Sequence, residues 1–158
     1  MKNITELPQP VYLQRKVVDI LKKAALNELL TSTLYRLLET SPSRYISNKL
    51  KHMARTARRA NWRHYQALLG CIGHLLKGDT QPTLKLVTPP ALPHIGYSPI
   101  ELLDQIEQAE QASIDYEQEI CALTMGYDYK VFDQTYAVLN ENLEHCEQVK
   151  AYLHPETV

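Results

Sequence analysis

The chain has one Phe, one Trp, five Gly and three Cys among 158 residues. Scarce glycine, with nine prolines gathered in a few places, leaves long uninterrupted helices between Pro-marked connections and points to an all-α chain. Cys71, Cys121 and Cys146 lie far apart, which excludes a disulfide framework and a CxxC metal knuckle; they read as reduced core thiols. No stretch of eighteen apolar residues is present, and Met1 to Gln9 carries Lys2 and Glu6 with no apolar run behind them, so no membrane span is expected and the setting reads as cytoplasmic. Excess charge of one sign is missing too. Seventeen basic and eighteen acidic side chains sum to −1, so the molecule as a whole does not steer toward nucleic acid or an anionic membrane. The length fits one domain, 1–158.

What is present is helical periodicity. Val17, Leu21, Ala24, Glu28, Thr31, Tyr35 and Leu38 recur at three- and four-residue steps and form one helix face on which Glu28 is the lone charge. Pro42 breaks this helix, and Ser43 is placed to cap the next. The second helix puts Ile46, Leu50, Met53, Ala57, Asn61, His64, Leu68, Cys71 and Leu75 on one stripe, with Lys49, Lys51, Arg55, Arg59 and Arg63 opposite. From Gly78 to Pro99 five prolines forbid a regular helix, as a long crossover between two helix pairs would require. Ser98-Pro99-Ile100-Glu101 then reads as a capping box opening a third helix, which Gly126 ends. The fourth places Val131, Thr135, Val138, Asn142, His145, Val149 and Tyr152 on one face and stops at Pro155. The expected helices cover about 11–40, 45–76, 99–125 and 129–153, an antiparallel four-helix bundle with a long Pro-rich crossover between helices 2 and 3.

Two helices carry Asn-x-x-His on an otherwise apolar stripe, Asn61 with His64 and Asn142 with His145; positions i and i+3 share a face, so both pairs point inward. The first helix adds Glu28 and the third adds Glu110, with Glu107 and Glu117 as alternatives. Glu28 precedes Asn61 by 33 residues and Glu110 precedes Asn142 by 32, so the chain reads as two related helix pairs. From Val17 to Leu153 this pattern resembles the ferritin-like (rubrerythrin- or bacterioferritin-type) di-iron or di-manganese carboxylate family, in which two helices give one Glu apiece and two give Glu-x-x-His. The resemblance implies that Glu28 and Glu110 match the terminal carboxylates and His64 and His145 the imidazole ligands. Asn61 and Asn142 stand where the family has bridging glutamates.

Two carboxylates and two neutral amides would leave two divalent cations with a net charge of about +2 in a water-poor core, where like charges repel strongly even at an effective dielectric of about 20. The expectation is therefore no metal, or a single Fe, Mn or Zn ion on two His and one or two Glu. Without metal, each Asn donates to Glu and accepts from His. The favoured function is a ferritin-like protein with a degenerate di-metal site, a non-catalytic binding or accessory protein, forming a homodimer through an apolar helical face and engaging a protein partner. Two alternatives stand beside it: a metal-dependent redox or iron-handling protein with an atypical mononuclear or di-metal site, and a helical interaction module using the basic face of helix 2 (Lys49, Lys51, Arg55, Arg58, Arg59 and Arg63), which the acidic third helix otherwise balances within the molecule or across a dimer. Tyr35 and Tyr65 lie near the site, where bonding to Glu28 or Glu110, or a redox role beside a metal, is one reading; the favoured one is core and interface aromatics with a hydroxyl at the edge.

Overall fold

The computed structural model describes residues 9–77 and 98–155. Four helices make up nearly all of this: α1 (Gln9–Glu39), α2 (Asn48–Leu75), α3 (Pro99–Thr124) and α4 (Tyr129–Leu153). The expected Pro-rich crossover falls almost entirely on 78–97, outside the described residues. Helices α1 and α2 form one antiparallel hairpin, α3 and α4 the other. The hairpins pack chiefly through α1 against α3, and α2 meets α4 along a thinner seam.

Helix ends follow local chemistry. Ser47, not Ser43, caps α2: its extended backbone (φ −72°, ψ 156°) lets Oγ accept from the Leu50 N–H at 3.1 Å. Pro42 to Tyr45 form a turn closed by the Tyr45 N–H on the Pro42 carbonyl, so α2 starts three residues later than the periodicity suggests, while Ser43 accepts from Lys51 Nζ at 2.8 Å. Burial of Ile46 just before the cap explains why its stripe looked helical. The capping box at Ser98 and Glu101 forms as read, with both reciprocal bonds, and Gly126 ends α3 at φ +77°, where a Cβ would be strained.

The apolar stripes bury into two large clusters and a smaller one of Ile114, Cys121, Leu139 and Cys146 between α3 and α4. One large cluster gathers Val17, Leu21, Ala24, Leu68, Ile72, Ile120 and Val131; the other gathers Leu34, Leu38, Ile46, Leu50, Ile106 and Val149. Between these two lies a polar layer, described below. The basic stripe of α2 is balanced from α1 and α4 rather than by acidic α3: Arg55 and Arg58 both pair with Glu39, at 2.9 and 2.7 Å, and Arg63 approaches Glu141 at 3.6 Å. Helices α2 and α3 are diagonal in the bundle, which puts α3 out of reach of that face.

Candidate metal centre

Each helix sends at least one polar side chain into the middle of the bundle. Glu28, Asn61, Glu110, Glu117 and Asn142 are fully buried, and His64 and His145 nearly so. Ionised carboxylates so placed are costly unless something compensates them, so three together mark a site.

Within each hairpin the glutamate meets its own histidine: Glu28 Oε2 lies 3.3 Å from His64 Nδ1, and Glu110 Oε1 lies 3.5 Å from His145 Nδ1. Between hairpins the amides cross over. Asn142 Nδ2 donates across to Glu28 Oε1 and, within its own hairpin, to Glu117 Oε1 at 2.8 Å; Asn61 Nδ2 reaches across to Glu110 Oε1 at 3.5 Å. The rings of His64 and His145 stack with centroids 6.0 Å apart. Tyr35 is a fully buried core aromatic whose hydroxyl also donates to Glu110 Oε1 at 2.9 Å, the less favoured reading, whereas Tyr65 packs against the first apolar cluster and on Trp62. On α3 both Glu110 and Glu117 face inward, and Glu107 stays half-buried at the flank, 3.8 Å from His154. Glu141 was not foreseen: its Oε2 lies 3.1 Å from His64 Nε2, so His64 spans a buried carboxylate and a surface one. Only the pairing of α2 with α4 brings these together.

The electrostatics follow. Burial, then the charge of Glu28 and a hydrogen bond with it, push the Glu117 carboxyl well above the usual range. Burial lowers His64, but hydrogen bonds and charge from Glu28 and then Glu141 outweigh it and raise the imidazole. Tyr35 is pushed well up, chiefly by burial and next by Glu110.

Several buried atoms here have no hydrogen-bond partner: Asn61 Oδ1, Asn142 Oδ1, Glu110 Oε2, Glu117 Oε2 and His145 Nδ1. Four of the five are oxygen acceptors and the fifth is an imidazole nitrogen, the donor set a divalent cation of the Fe, Mn or Zn kind accepts. Among the described residues, however, no three His, Cys, Asp or Glu side chains already form a ligand shell. The amide nitrogen of Asn142 lies between two of the carboxylates instead. The donor chemistry fits a metal; ligation requires the Asn142 amide to turn. The expected count of two inward carboxylates is short by Glu117, which reduces the charge deficit attributed to the asparagines.

No family model matches the chain. It is 27% identical over 135 residues to the DNA protection during starvation protein of Pyrococcus furiosus, covering 82% of this chain and 72% of that one. In structure it superposes on a dodecameric thioferritin, the bacterioferritin-related protein of Bacteroides fragilis, with a TM-score of 0.74 at 19% identity, over 89% of this chain and 85% of the other. The chain is a ferritin-like four-helix bundle. The M. penetrans ferritin gives a TM-score of 0.67 at 17% identity, covering 90% and 88%. In this ferritin-like chain the helix-swapped pairing of amide and carboxylate occupies the centre of the fold.

Proposed function

We propose that this protein is a ferritin-like iron-handling protein that binds a divalent cation, Fe²⁺ foremost, in the polar layer of its bundle, as a binding or accessory protein rather than a paired-metal oxidase. The observation that carries the reading is the set of buried, unpartnered acceptors on Asn61, Glu110, Glu117 and Asn142, facing two histidines. The likeness to a starvation-protection protein and to ferritins supports it.

The residues that would hold the ion are Glu28, Glu110, Glu117, His64 and His145, with the carbonyl oxygens of Asn61 and Asn142 as neutral donors. Bound iron supplies reversible one-electron chemistry. The chain's own part is to exclude water with the apolar clusters packed on either side of the layer and to present carboxylate and imidazole donors to the ion. Replacing two bridging carboxylates by amides lowers the charge available to a second cation, which favours one metal over two. Self-association, as a homodimer or a larger assembly, and a cytoplasmic setting belong to the same reading; exposed Trp62, Tyr136 and Leu143 supply apolar surface for the former. No helix among the described residues is long and apolar enough to cross a membrane.

The test is elemental analysis of the purified protein with an anaerobic Fe²⁺ titration. About one equivalent per chain, lost in His64→Ala or His145→Ala, is expected. No metal at any concentration would refute the reading and leave a polar scaffold without cargo.

A further inference from the structure

The two hairpins are related by a near-constant offset. Glu28 corresponds to Glu110, Asn61 to Asn142 and His64 to His145, at separations of 82, 81 and 81 residues. The structure keeps this relationship in its contacts, since each Glu meets its own hairpin's His and the other hairpin's Asn. Carried one heptad along α1 and α3, the same offset pairs Tyr35 with Glu117. Both are fully buried, and each bonds into the half of the site built on the other hairpin's glutamate: Tyr35 donates to Glu110 at 2.9 Å, and Glu117 shares the Asn142 amide with Glu28. Here the symmetry fails. One half is a carboxylate, an imidazole, an amide and a phenol; the other is two carboxylates, an imidazole and an amide.

We infer that Glu117 makes the halves unequal, so that a single divalent cation is taken by Glu28, Glu117 and His64 in preference to Glu110 and His145. This rests on the reading of the layer as a metal centre and specifies where in it the ion sits. Two carboxylates neutralise a divalent ion; one carboxylate leaves a unit of charge in a dry core. A phenol stays neutral near pH 7, and by donating to Glu110 Oε1 it occupies an acceptor site the ion would need. Each half leaves buried oxygens unpartnered, Glu117 Oε2 and Asn142 Oδ1 in the favoured half and Glu110 Oε2 and Asn61 Oδ1 in the other, where His145 Nδ1 is open as well, so the second carboxylate and not the count of open donors separates the halves. Turning the Asn142 amide exchanges its nitrogen for its oxygen and converts the carboxylates' shared donor into a third oxygen ligand.

Competition titration with Zn²⁺ alone, against a chromophoric chelator, tests this on the unmodified chain, Glu117→Gln and Glu110→Gln. The first equivalent should weaken by about tenfold or more in Glu117→Gln and by less than about threefold in Glu110→Gln. Equal losses, or the reverse order, overturn the preference while leaving the metal centre standing; absence of binding by the unmodified chain overturns both. A measurement without substitution guards against misfolded variants. In the ¹⁵N-histidine-labelled protein, substoichiometric Zn²⁺ should move the ring-nitrogen signals of His64 before those of His145, and the opposite order refutes the inference.

Discussion

The amide of Asn142 on the second hairpin donates to the carboxylate of Glu28 on the first. Its counterpart, Asn61 on the first hairpin, reaches Glu110 on the second at 3.5 Å. These two amides cross between hairpins where the resemblance places bridging glutamates, so they join the hairpins by hydrogen bonds where a carboxylate would join two metals. Restoring both acids tests that equivalence. Asn61→Glu with Asn142→Glu should raise the bound metal from about one to about two per chain and, without metal, lower stability by several kcal/mol, since it adds two buried carboxylates to three. Metal analysis together with urea unfolding in chelator checks it.

Asp128 caps α4, its Oδ1 accepting from the Val131 N–H at 3.1 Å and its Oδ2 facing His74 Nε2 at 3.0 Å. Burial alone would raise this carboxyl, but hydrogen bonds from Val131 and His74 outweigh it and hold it below the ordinary 3.8. A depressed carboxyl stabilises the fold above its unfolded pKa, and the contribution fades as pH falls through the lower folded value. Asp128→Ala should therefore cost about 1 kcal/mol at neutral pH and much less near about pH 2. Unfolding midpoints across that range show whether the two curves converge.

Arg55 and Arg58 share Glu39, but the Arg58 side chain is 32% exposed against 49% for Arg55, and its bond is shorter, 2.7 against 2.9 Å. The drier pair is screened less by water and salt. Arg58→Ala should destabilise more than Arg55→Ala, each by under about 1 kcal/mol, and the difference should shrink in molar salt. Equal effects at low salt would show that both pairs are solvated alike.

All three cysteines are buried. Burial pushes Cys71 up to about 11 and also raises Cys121 and Cys146, so little thiolate exists at neutral pH. A thiol reagent should label none of them in the native protein within minutes and all three on denaturation. Rapid labelling of one would show an opening of the helix that carries it.

The sequence by itself determined the four helices, the caps at Ser98 and Gly126 and the inward direction of Asn61, His64, Asn142 and His145, because each depends on spacing along a single helix or on chemistry within a few residues. It also carried the repeated order of glutamate, then Asn-x-x-His, in both halves of the chain. Helix periodicity could not decide among the α3 glutamates, since Glu110 and Glu117 differ by two turns and share a face; only packing against α1 and α4 buries both and leaves Glu107 at the flank. The start of α2 moved from Tyr45 to Asn48 for a local reason the stripe hid, a turn that buries Ile46 before the cap. Tertiary structure alone decided that Glu141 meets His64, that α1 and α4 rather than α3 answer the basic stripe, and that the amides pair across hairpins. Those contacts join residues on different helices, and their geometry is set by how the two hairpins dock, which no periodicity within one helix records.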